Sequence, residues 1–381
     1  MGYPEDVPRL TDGEVTLRAY TLDDLDGCVE MCTDPESSAW TTIPIPYGRE
    51  DGVAWITKVV PHLWDEGSNL EFAVEAPHAD GVRRYAGGIG LRPREDGVAS
   101  VGFSVHPGAR GRGVARRALT LLADWCFAER GVEIVEWHAY VGNWASRRVM
   151  WSCGFSFDGT VAAYRVQRGE RRDVWIGTLR RTDTREPKTT WLEPPVLETP
   201  RLRLRPFTEA DLPRLDEMAR DERTVHFGGR TQGTQREGAA ALLRMREQDA
   251  TGQMFNWCVA DRTTDRLLGK IQLFDLGGLD DSEVKPGYMI HPDARGRGVL
   301  TEALKTLVEW TFRPVAEGGF AKRRITISTA ASNAASRHAA EQAGFTLACT
   351  NPTAFTIGPT AFDDEVLYHL INPNWTPPTT E

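Results

Sequence analysis

Lysine is nearly absent from this sequence: six residues stand against 39 arginines, and 54 acidic side chains leave a net charge of −9. A duplex-binding protein needs the opposite balance, because a basic field is what displaces phosphate counterions. No nucleic-acid partner is expected, and the preference for arginine is read as genome composition before function. Cysteine is sparse and scattered. Cys28, Cys32, Cys126, Cys153, Cys258 and Cys349 suit a reducing compartment, where they serve as small buried hydrophobes. Cys28 and Cys32 lie four apart on a predicted helix without a neighbouring histidine, so no metal is assigned. No apolar run approaches the ~18 residues of a membrane helix. The opening stretch MGYPEDVPRLTDGE lacks a basic segment followed by an apolar one, so no secretory signal and a cytoplasmic location are expected. The nucleotide loop Gly-x-x-x-x-Gly-Lys-Ser/Thr is missing, and so, from residue 111 onward, is the dinucleotide spacing Gly-x-Gly-x-x-Gly.

What is present is a sentence written twice. HPGARGRGVARRAL at 106–119 returns as HPDARGRGVLTEAL at 291–304. Upstream, Leu17-Arg18-Ala19-Tyr20 and Thr21-Leu22-Asp23-Asp24-Leu25 match Leu204-Arg205-Pro206-Phe207 and Thr208-Glu209-Ala210-Asp211-Leu212. Downstream, Asn143-Trp144-Ala145-Ser146-Arg147 with Gly154-Phe155 matches Asn333-Ala334-Ala335-Ser336-Arg337 with Gly344-Phe345. The offset drifts from 185 to 190, as loop insertions make it do. That period marks a duplicated domain rather than a solenoid repeat of roughly 20 to 50 residues. Length alone favours two domains. The proline-rich stretch from Arg185 to Pro200 sets the boundary: domains over 1–185 and 200–381, with a semi-rigid linker over 186–199 that favours docked halves.

Each half predicts the same order of elements. A short strand runs into a threonine-capped helix, then a second helical stretch covers 49–66 or 232–251. Strands follow at Leu70–Glu75, Tyr85–Leu91 and Ala99–Val105, matched by Phe255–Ala260, Leu267–Phe274 and Glu283–Ile290. The glycine segment opens a helix with an apolar stripe at Val114, Ala118, Leu121, Leu122 and Trp125. A strand (Val132–Tyr140 or Arg324–Thr329), a helix starting at the Asn-x-Ala-Ser element and a hairpin complete the unit. The fold class is α/β or α+β, with one sheet per half.

A strand leading through Arg110-Gly111-Arg112-Gly113-Val114-Ala115 into a helix aims free backbone N–H groups at one point, where the helix dipole favours an anion. Glycines remove the Cβ atoms that would hold a diphosphate away, and the arginines add donors. An isolated glycine turn of this kind is as often structural as functional; duplication favours function. An RNA-binding arginine-glycine tail is excluded by the segment's shortness, its helical continuation and the acidic balance.

Arg110-Gly-Arg-Gly-Val-Ala115 resembles the Arg/Gln-x-x-Gly-x-Gly/Ala signature with which GNAT-superfamily N-acetyltransferases hold the diphosphate of acyl-coenzyme A. The phrases VGFSVHPGARGRGVARRAL, PGYMIHPDARGRGVLTEAL, VGNWASRRVMWSCGF and SNAASRHAAEQAGF resemble the branch that acetylates N-terminal amines of ribosomal proteins. The resemblance spans nearly the whole chain, twice. It implies in each half a mixed, twisted sheet of about seven strands flanked by about four helices, splayed between its fourth and fifth strands to take the pantetheine arm. It places Val105 and Ile290 on the strand that pairs with pantetheine. The diphosphate would lie at Arg110, Gly111, Arg112, Gly113, Val114 and Ala115, and at Arg295, Gly296, Arg297, Gly298, Val299 and Leu300. Leu300 departs from the signature's small residue and stands to crowd the phosphate or the adjoining helix. Asn143, Ser146, Asn333 and Ser336 would come near the thioester. The implied co-substrate is acetyl-CoA or another acyl-CoA, with no metal.

Acyl transfer to an amine needs a neutral amine, a stabilised oxyanion and a protonated leaving thiolate. A backbone N–H near Val105 or Ile290 is the expected oxyanion donor. Ser146 and Ser336 are candidate thiolate acids or N-terminal helix caps, and one serine can be both. The base is open, because Ser100 and Lys285 stand where many relatives of the family carry glutamate. Glu71, aligned with Asn256, is a candidate base or a solvated strand residue. His138 and Tyr140 share a strand face and are candidates or an ordinary half-buried pair. Asp275 and Glu283 are the second-half counterparts. Trp125 and Trp310 are expected in the core. Trp40, Trp55, Trp64, Trp137, Trp144 and Trp151 are many for one small core, so some are expected to line an acceptor pocket in the first half. The expected function is acyl-CoA-dependent N-acyl transfer by direct attack in a ternary complex, with the first half catalytic. The acceptor is an amine-bearing peptide or small molecule, with an acyl carrier protein as a further possible donor, in a monomer or homodimer without membrane attachment. The rival is a catalytically silent tandem module that binds acyl-CoA or a protein partner.

Overall fold

The computed structural model describes residues 2–228, 238–277 and 280–377. The chain divides into two compact units, Met1–Lys188 and Thr189–Glu381. The division falls inside the proline-rich stretch, and the residues after it fold onto the second unit. Leu192 is buried in that unit's core, Leu197–Glu198 forms an edge strand, and Pro195 O accepts a hydrogen bond of 2.8 Å from Trp257 Nε1.

In the first unit the strands are β1 (Leu10–Thr11), β2 (Thr16–Arg18), β3 (Leu70–Pro77), β4 (Arg83–Pro93), β5 (Val98–Val105), β6 (Ile134–Tyr140), β7 (Ser156–Gln167) and β8 (Glu170–Arg180). Six helices accompany them: α1 (Leu25–Thr33), α2 (Pro35–Trp40), α3 (Arg49–Ala54), α4 (Val60–Glu66), α5 (Val114–Glu129) and α6 (Trp144–Ser152). A π turn joins α3 to α4, so helix runs unbroken over the predicted 49–66. The sheet order is β1-β2-β3-β4-β5-β6-β8-β7. The pairing β5–β6 is parallel, with α5 as its crossover, and the other pairings are antiparallel.

The second unit repeats this design with β9 (Leu197–Glu198), β10 (Leu202–Arg205), β11 (Phe255–Asp261), β12 (Leu267–Phe274), β13 (Glu283–Ile290), β14 (Arg324–Ala330), β15 (Thr346–Ile357) and β16 (Ala361–Ile371). Its helices are α7 (Leu212–Arg220), α8 (Glu222–Phe227), α9 (Ala239–Ala250), α10 (Val299–Phe312) and α11 (Ala334–Gln342). The sheet order is β15-β16-β14-β13-β12-β11-β10-β9, with β13–β14 parallel. Eight strands stand where about seven were expected, because a two-residue strand joins each sheet's edge. The predicted helix over 232–251 starts outside the described residues; α9 covers its latter part.

Alternation along the strands sorts side chains between two faces. Phe72 meets Trp125 of α5 edge-on at 5.5 Å, which puts Phe72 and its cross-strand neighbour Ile89 on the α5 face. Glu71, Ala73 and Gly90 therefore lie on the other face, where Ala73 packs with Tyr20, Leu25, Cys28 and Met31. The buried face of α5 comprises Val114, Ala118, Leu119, Leu122, Ala123, Cys126 and Phe127. It is rotated from the expected stripe, leaving Leu121 and Trp125 half-buried. Arg18 forms a bidentate pair with Asp24, whose carboxylate also accepts from Thr21 N–H; Arg205, Asp211 and Thr208 repeat the arrangement. Five cysteines are buried and free; Cys349 is exposed, on edge strand β15, contrary to expectation. Among the described residues no helix is long and apolar enough to cross a membrane, and no cluster of three or more His, Cys, Asp and Glu could hold a metal ion.

Candidate active site

The glycine segments form two matching helix mouths. Gly111 and Gly113 have φ of +71° and +74°, and Gly296 and Gly298 have +70° and +74°. This left-handed backbone favours glycine, and a Cβ at 111, 113 or 296 would project into open space. Helices α2, α6, α8 and α11 each begin with a capping side chain, from Asp34, Asn143, Asp221 and Asn333. Helices α5 and α10 begin on glycine with no side-chain cap, which leaves first-turn N–H donors available to an anion. The cradle fits a phosphate group.

The arginines flanking these mouths divide. Arg110 donates to Asp34 Oδ2 at 2.5 Å, Ser37 Oγ at 2.9 Å and Glu36 Oε2 at 2.8 Å. Arg295 is bound in the same way by Asp221 and, at 3.1 Å, by Thr224 Oγ1. Both guanidiniums tie the loop to the start of α2 or α8, so any phosphate contact there falls to the backbone. Arg112 and Arg297 are exposed, Val114 and Val299 are buried, and Ala115 is half-buried. Leu300 packs against the core beneath α10, and so its bulk does not fill the mouth. The first turns differ in charge. Arg117 pairs with Asp12 at 2.6 Å, whereas Glu302 at the equivalent position pairs with Arg201.

Beyond the mouths each sheet splays. β5 pairs with β6 only over Val98–Val101, so the edge of β5 facing β6 is unpaired in the ladder from Gly102 to Val105. β13 pairs with β14 only at Glu283 and Val284, leaving the edge up to Ile290 likewise. Each gap opens beside one mouth, between the two faces of the sheet.

On the α5 face of the first gap, Asn143 Oδ1 accepts from Ser146 N–H at 3.1 Å, and Ser146 Oγ accepts from the buried Trp137 Nε1 at 2.9 Å. An indole N–H only donates, so the Ser146 hydroxyl keeps its own proton to give elsewhere. In the second unit Asn333 caps Ser336 N–H at 3.3 Å, and Ser336 Oγ meets Tyr288 Oη at 2.8 Å. Burial pushes the Tyr288 phenol up to about 12, which keeps it protonated.

On the opposite face, Glu71 lies with its carboxyl group over Gly90, where a Cβ would come within 2.4 Å of it. Asn69 Nδ2 donates to Glu71 Oε1 at 2.7 Å, and burial raises the carboxyl above its ordinary range. Gly90 pairs with Gly102, and a Cβ at Gly102 would meet nothing within 4 Å. His138 and Tyr140 share this face across the gap. Burial and the Arg165 guanidinium hold the His138 imidazole below its ordinary pKa. Arg165 Nη2 sits 2.6 Å from His138 Nδ1 and occupies its lone pair, so the neutral ring carries its proton on Nε2 and has no free lone pair for a base. Tyr140 is buried under the Arg172 guanidinium, 5.6 Å from the ring centroid.

Two anion-ready helix mouths, each beside a splayed parallel pair, agree with what sequence comparison finds. The family description "Acetyltransferase (GNAT) domain" matches residues 14–156 and again 201–346, more than half of the chain. The chain belongs to the GNAT acetyltransferases. It is 24% identical over 165 residues to the uncharacterized N-acetyltransferase p20 of Bacillus licheniformis, covering 43% of this chain and 92% of that protein. It is 23% identical over 166 residues to the L-amino acid N-acetyltransferase AaaT of Escherichia coli K12, covering 42% and 95%. Among solved structures, Mycobacterium smegmatis RimJ in complex with CoA-disulfide aligns with a TM-score of 0.40 at 21% identity, covering 47% of this chain and 88% of that one. The microcin C7 self-immunity acetyltransferase MccE, in complex with acetyl-CoA and AMP, aligns with a TM-score of 0.41 at 16% identity, covering 44% and 93%.

The two GNAT domains part company on the face that carries Glu71. In the second domain Asn256 stands at the Glu71 position, Gln272 at Gly90, Lys270 at Gly88 and Phe207 at Tyr20. Gln272 Nε2 donates to Asn256 Oδ1 at 2.6 Å, and Asn256 Nδ2 donates to Asp249 at 2.9 Å. The Phe274 ring lies over Gly287, the Gly102 counterpart, close enough that a Cβ there would sit 3.2 Å from it. Of the second-half candidates, Asp275 is paired with Lys285 at 2.8 Å, and Glu283 accepts from Thr326 Oγ1 at 2.8 Å at the start of β13. Asp275 is thus neutralised by Lys285 at the start of the gap, and Glu283 sits in the paired part of β13. Of the tryptophans, Trp137 is core and Trp55 packs beside Tyr20 and Cys28. Trp40 approaches Gly142 beside the Asn143 cap, and Trp64 donates from Nε1 to the Glu71 main-chain O at 2.8 Å while meeting Phe72 edge-on at 5.2 Å. Sequence reasoning missed Gly88, Gly90, Gly102, Tyr288 and Asp249. The only local signal among them was Gly87-Gly88-Ile89-Gly90 inside a strand.

Proposed function

We propose that the first GNAT domain transfers an acetyl group from acetyl-CoA to the primary amine of a peptide or small molecule, by direct attack in a ternary complex. The observation that carries this reading is the placement of Glu71 and Ser146 on opposite faces of one sheet, with the β5–β6 gap between them. When bound, acetyl-CoA supplies the activated acyl carbon. The uncapped first turn of α5, from Gly113 onward, would hold its diphosphate, helped by the exposed Arg112. The open edge of β5 from Gly102 to Val105 would take the arm along the main chain and offer an N–H to the acyl oxygen.

An amine reaching the gap from the Glu71 face passes over the bare Gly102. Glu71, with its carboxyl raised by burial, takes the proton that the amine must lose. Ser146 approaches from the other face, oriented by Trp137 and Asn143, and gives its proton to the leaving sulfur. The rate enhancement comes chiefly from holding amine and acyl carbon together between these two groups.

The second domain favours a different reading: a coenzyme-binding unit without an external amine acceptor. Its helix mouth matches the first, but Asn256 replaces the carboxylate and Gln272 and Phe274 cover the floor. The test is an amine-library assay in which the full chain, supplied with acetyl-CoA, is followed by release of free thiol. Amine-dependent thiol release supports transfer; saturable acetyl-CoA binding with no thiol release by any amine supports a silent module throughout.

A further inference from the structure

Lys270 is the most anomalous side chain outside the first domain's site. It lies on β12 only 8% exposed, and among the described residues no carboxylate pairs with it. Arg244 on α9, a charge of the same sign, acts on it unfavourably. A buried ammonium without a counter-ion is costly, and proteins usually relieve the cost by pairing the charge or shedding the proton. Here the pKa is lowered to about 8 by burial and by Arg244. At pH 7 a neutral amine is therefore far more accessible here than for an ordinary lysine.

Its place in the sheet gives that amine a use. Lys270 is cross-strand partner to Cys258 and Met289, on the face turned away from α10. Met289 belongs to β13, within the stretch whose far edge is unpaired at the gap, and Gln272 two residues along pairs with Gly287. One strand spacing of ~4.8 Å separates Lys270 from β13, a distance its four-carbon stem spans. The first domain has Gly88 here, and the buried Tyr20 hydroxyl fills the space above it, where a Cβ would lie 2.3 Å away. The second has Phe207 in place of Tyr20 and carries an amine of its own.

We propose that Lys270 is an internal acyl acceptor, taking the acyl group of an acyl-CoA held at the mouth of α10. This rests on the second domain binding acyl-CoA, as read above. The Lys270 Nζ lone pair forms a C–N bond to the acyl carbon while the C–S bond breaks and the sulfur leaves with its electron pair. The proton lost from Nζ is balanced by the proton gained by the thiol, for which the Tyr288–Ser336 hydroxyl pair across the gap is the local source. The products are an ε-N-acyl-lysine and free coenzyme A. The modification removes the unpaired charge from the interior.

The test uses the full chain, incubated with acetyl-CoA at neutral pH and analysed by peptide mass mapping. Acetylation is expected first and most completely at Lys270, ahead of Lys58, Lys188, Lys285, Lys305 and Lys322. It should persist in Gly113→Asp, vanish in Gly298→Asp, which tolerates the left-handed backbone while setting a negative charge at the α10 mouth, and be absent from Lys270→Arg. A parallel titration separates the two failures. Two acetyl-CoA sites with Lys270 unmodified, or modified no faster than Lys58, overturn the lysine proposal and leave the coenzyme reading standing. A single site that Gly298→Asp does not touch overturns the coenzyme reading of the second domain, and this inference with it.

Discussion

Duplicated copies of one fold differ here at the floor of a single sheet face. In the first domain that face is bare at Gly102 and carries a carboxyl group at Glu71. In the second, Asn256, Gln272, Lys270 and Phe274 occupy the corresponding space. The helix mouths did not diverge in the same way: the four glycines keep φ between +70° and +74°. On the proposed reading the coenzyme half and the acceptor half of the site are therefore separable, because one is made by main chain at a helix start and the other by side chains on a sheet. Side chains on a face change by point substitution without disturbing the helix-start backbone that we propose holds the diphosphate.

Glu71→Gln probes the contrast hardest. Loss of the base is expected to lower turnover by about 10²- to 10⁴-fold, with acetyl-CoA affinity unchanged. The carboxylate must be ionised to accept a proton, and burial raises its pKa. Wild-type activity should thus fall with decreasing pH earlier than an ordinary carboxylate would impose, and that acid limb should be absent from the variant's residual rate. Gly102→Phe, which copies the ring over Gly287, should raise KM for the amine at least about tenfold, equivalent to ~1.4 kcal/mol, without altering coenzyme titration. Equal loss of coenzyme binding would break the separation of the two halves of the site.

Ser146→Ala leaves the buried Trp137 N–H without an acceptor, a loss of about 1 to 3 kcal/mol in stability, and should slow turnover with poor leaving thiols most. Ser336→Ala should leave amine-dependent turnover intact. The smallest effect concerns acid stability of the loop anchors. Arg295 holds the Asp221 carboxyl at about 2 rather than 3.8. The stabilisation from this pair is whole above pH 3.8 and is lost as pH falls toward 2. Arg295→Met should flatten the second domain's loss of melting temperature across that window, while Arg110→Met does the same for the first, whose Asp34 is also lowered.

The duplicated phrases made the two-domain order and both helix mouths legible in the sequence, because each is a local backbone feature with local residues. The Asn-x-x-Ser elements read as helix starts, but with the serine as cap, whereas Asn143 and Asn333 are the caps and Ser146 and Ser336 supply the N–H groups they accept from. The destination of Arg110 and Arg295 was not legible. Their carboxylate partners lie more than 70 residues upstream, and an arginine next to a glycine turn reads as a phosphate ligand until those partners are seen. The glycine floor escaped for a similar reason: that Gly90 faces Gly102 beneath Glu71 depends on the strand register, which includes a bulge between Val74 and Glu75. Strand alternation puts His138 and Tyr140 on one face, as the sequence implies, but Arg165 on a later hairpin decides the protonation of His138. Lys270 passed as one polar residue in a strand, since nothing local marks a lysine as buried.

The central claim is that transfer to an external amine belongs to the first domain alone. Its most direct test is amine-dependent thiol release by Gly113→Asp and Gly298→Asp, measured side by side in the full chain. Like charges ~4 Å apart at an effective dielectric of ~20 repel by about 4 kcal/mol, so Gly113→Asp should lose about a thousandfold while Gly298→Asp retains most of the wild-type rate. Equal losses from the two substitutions, or the larger loss from Gly298→Asp, would contradict it.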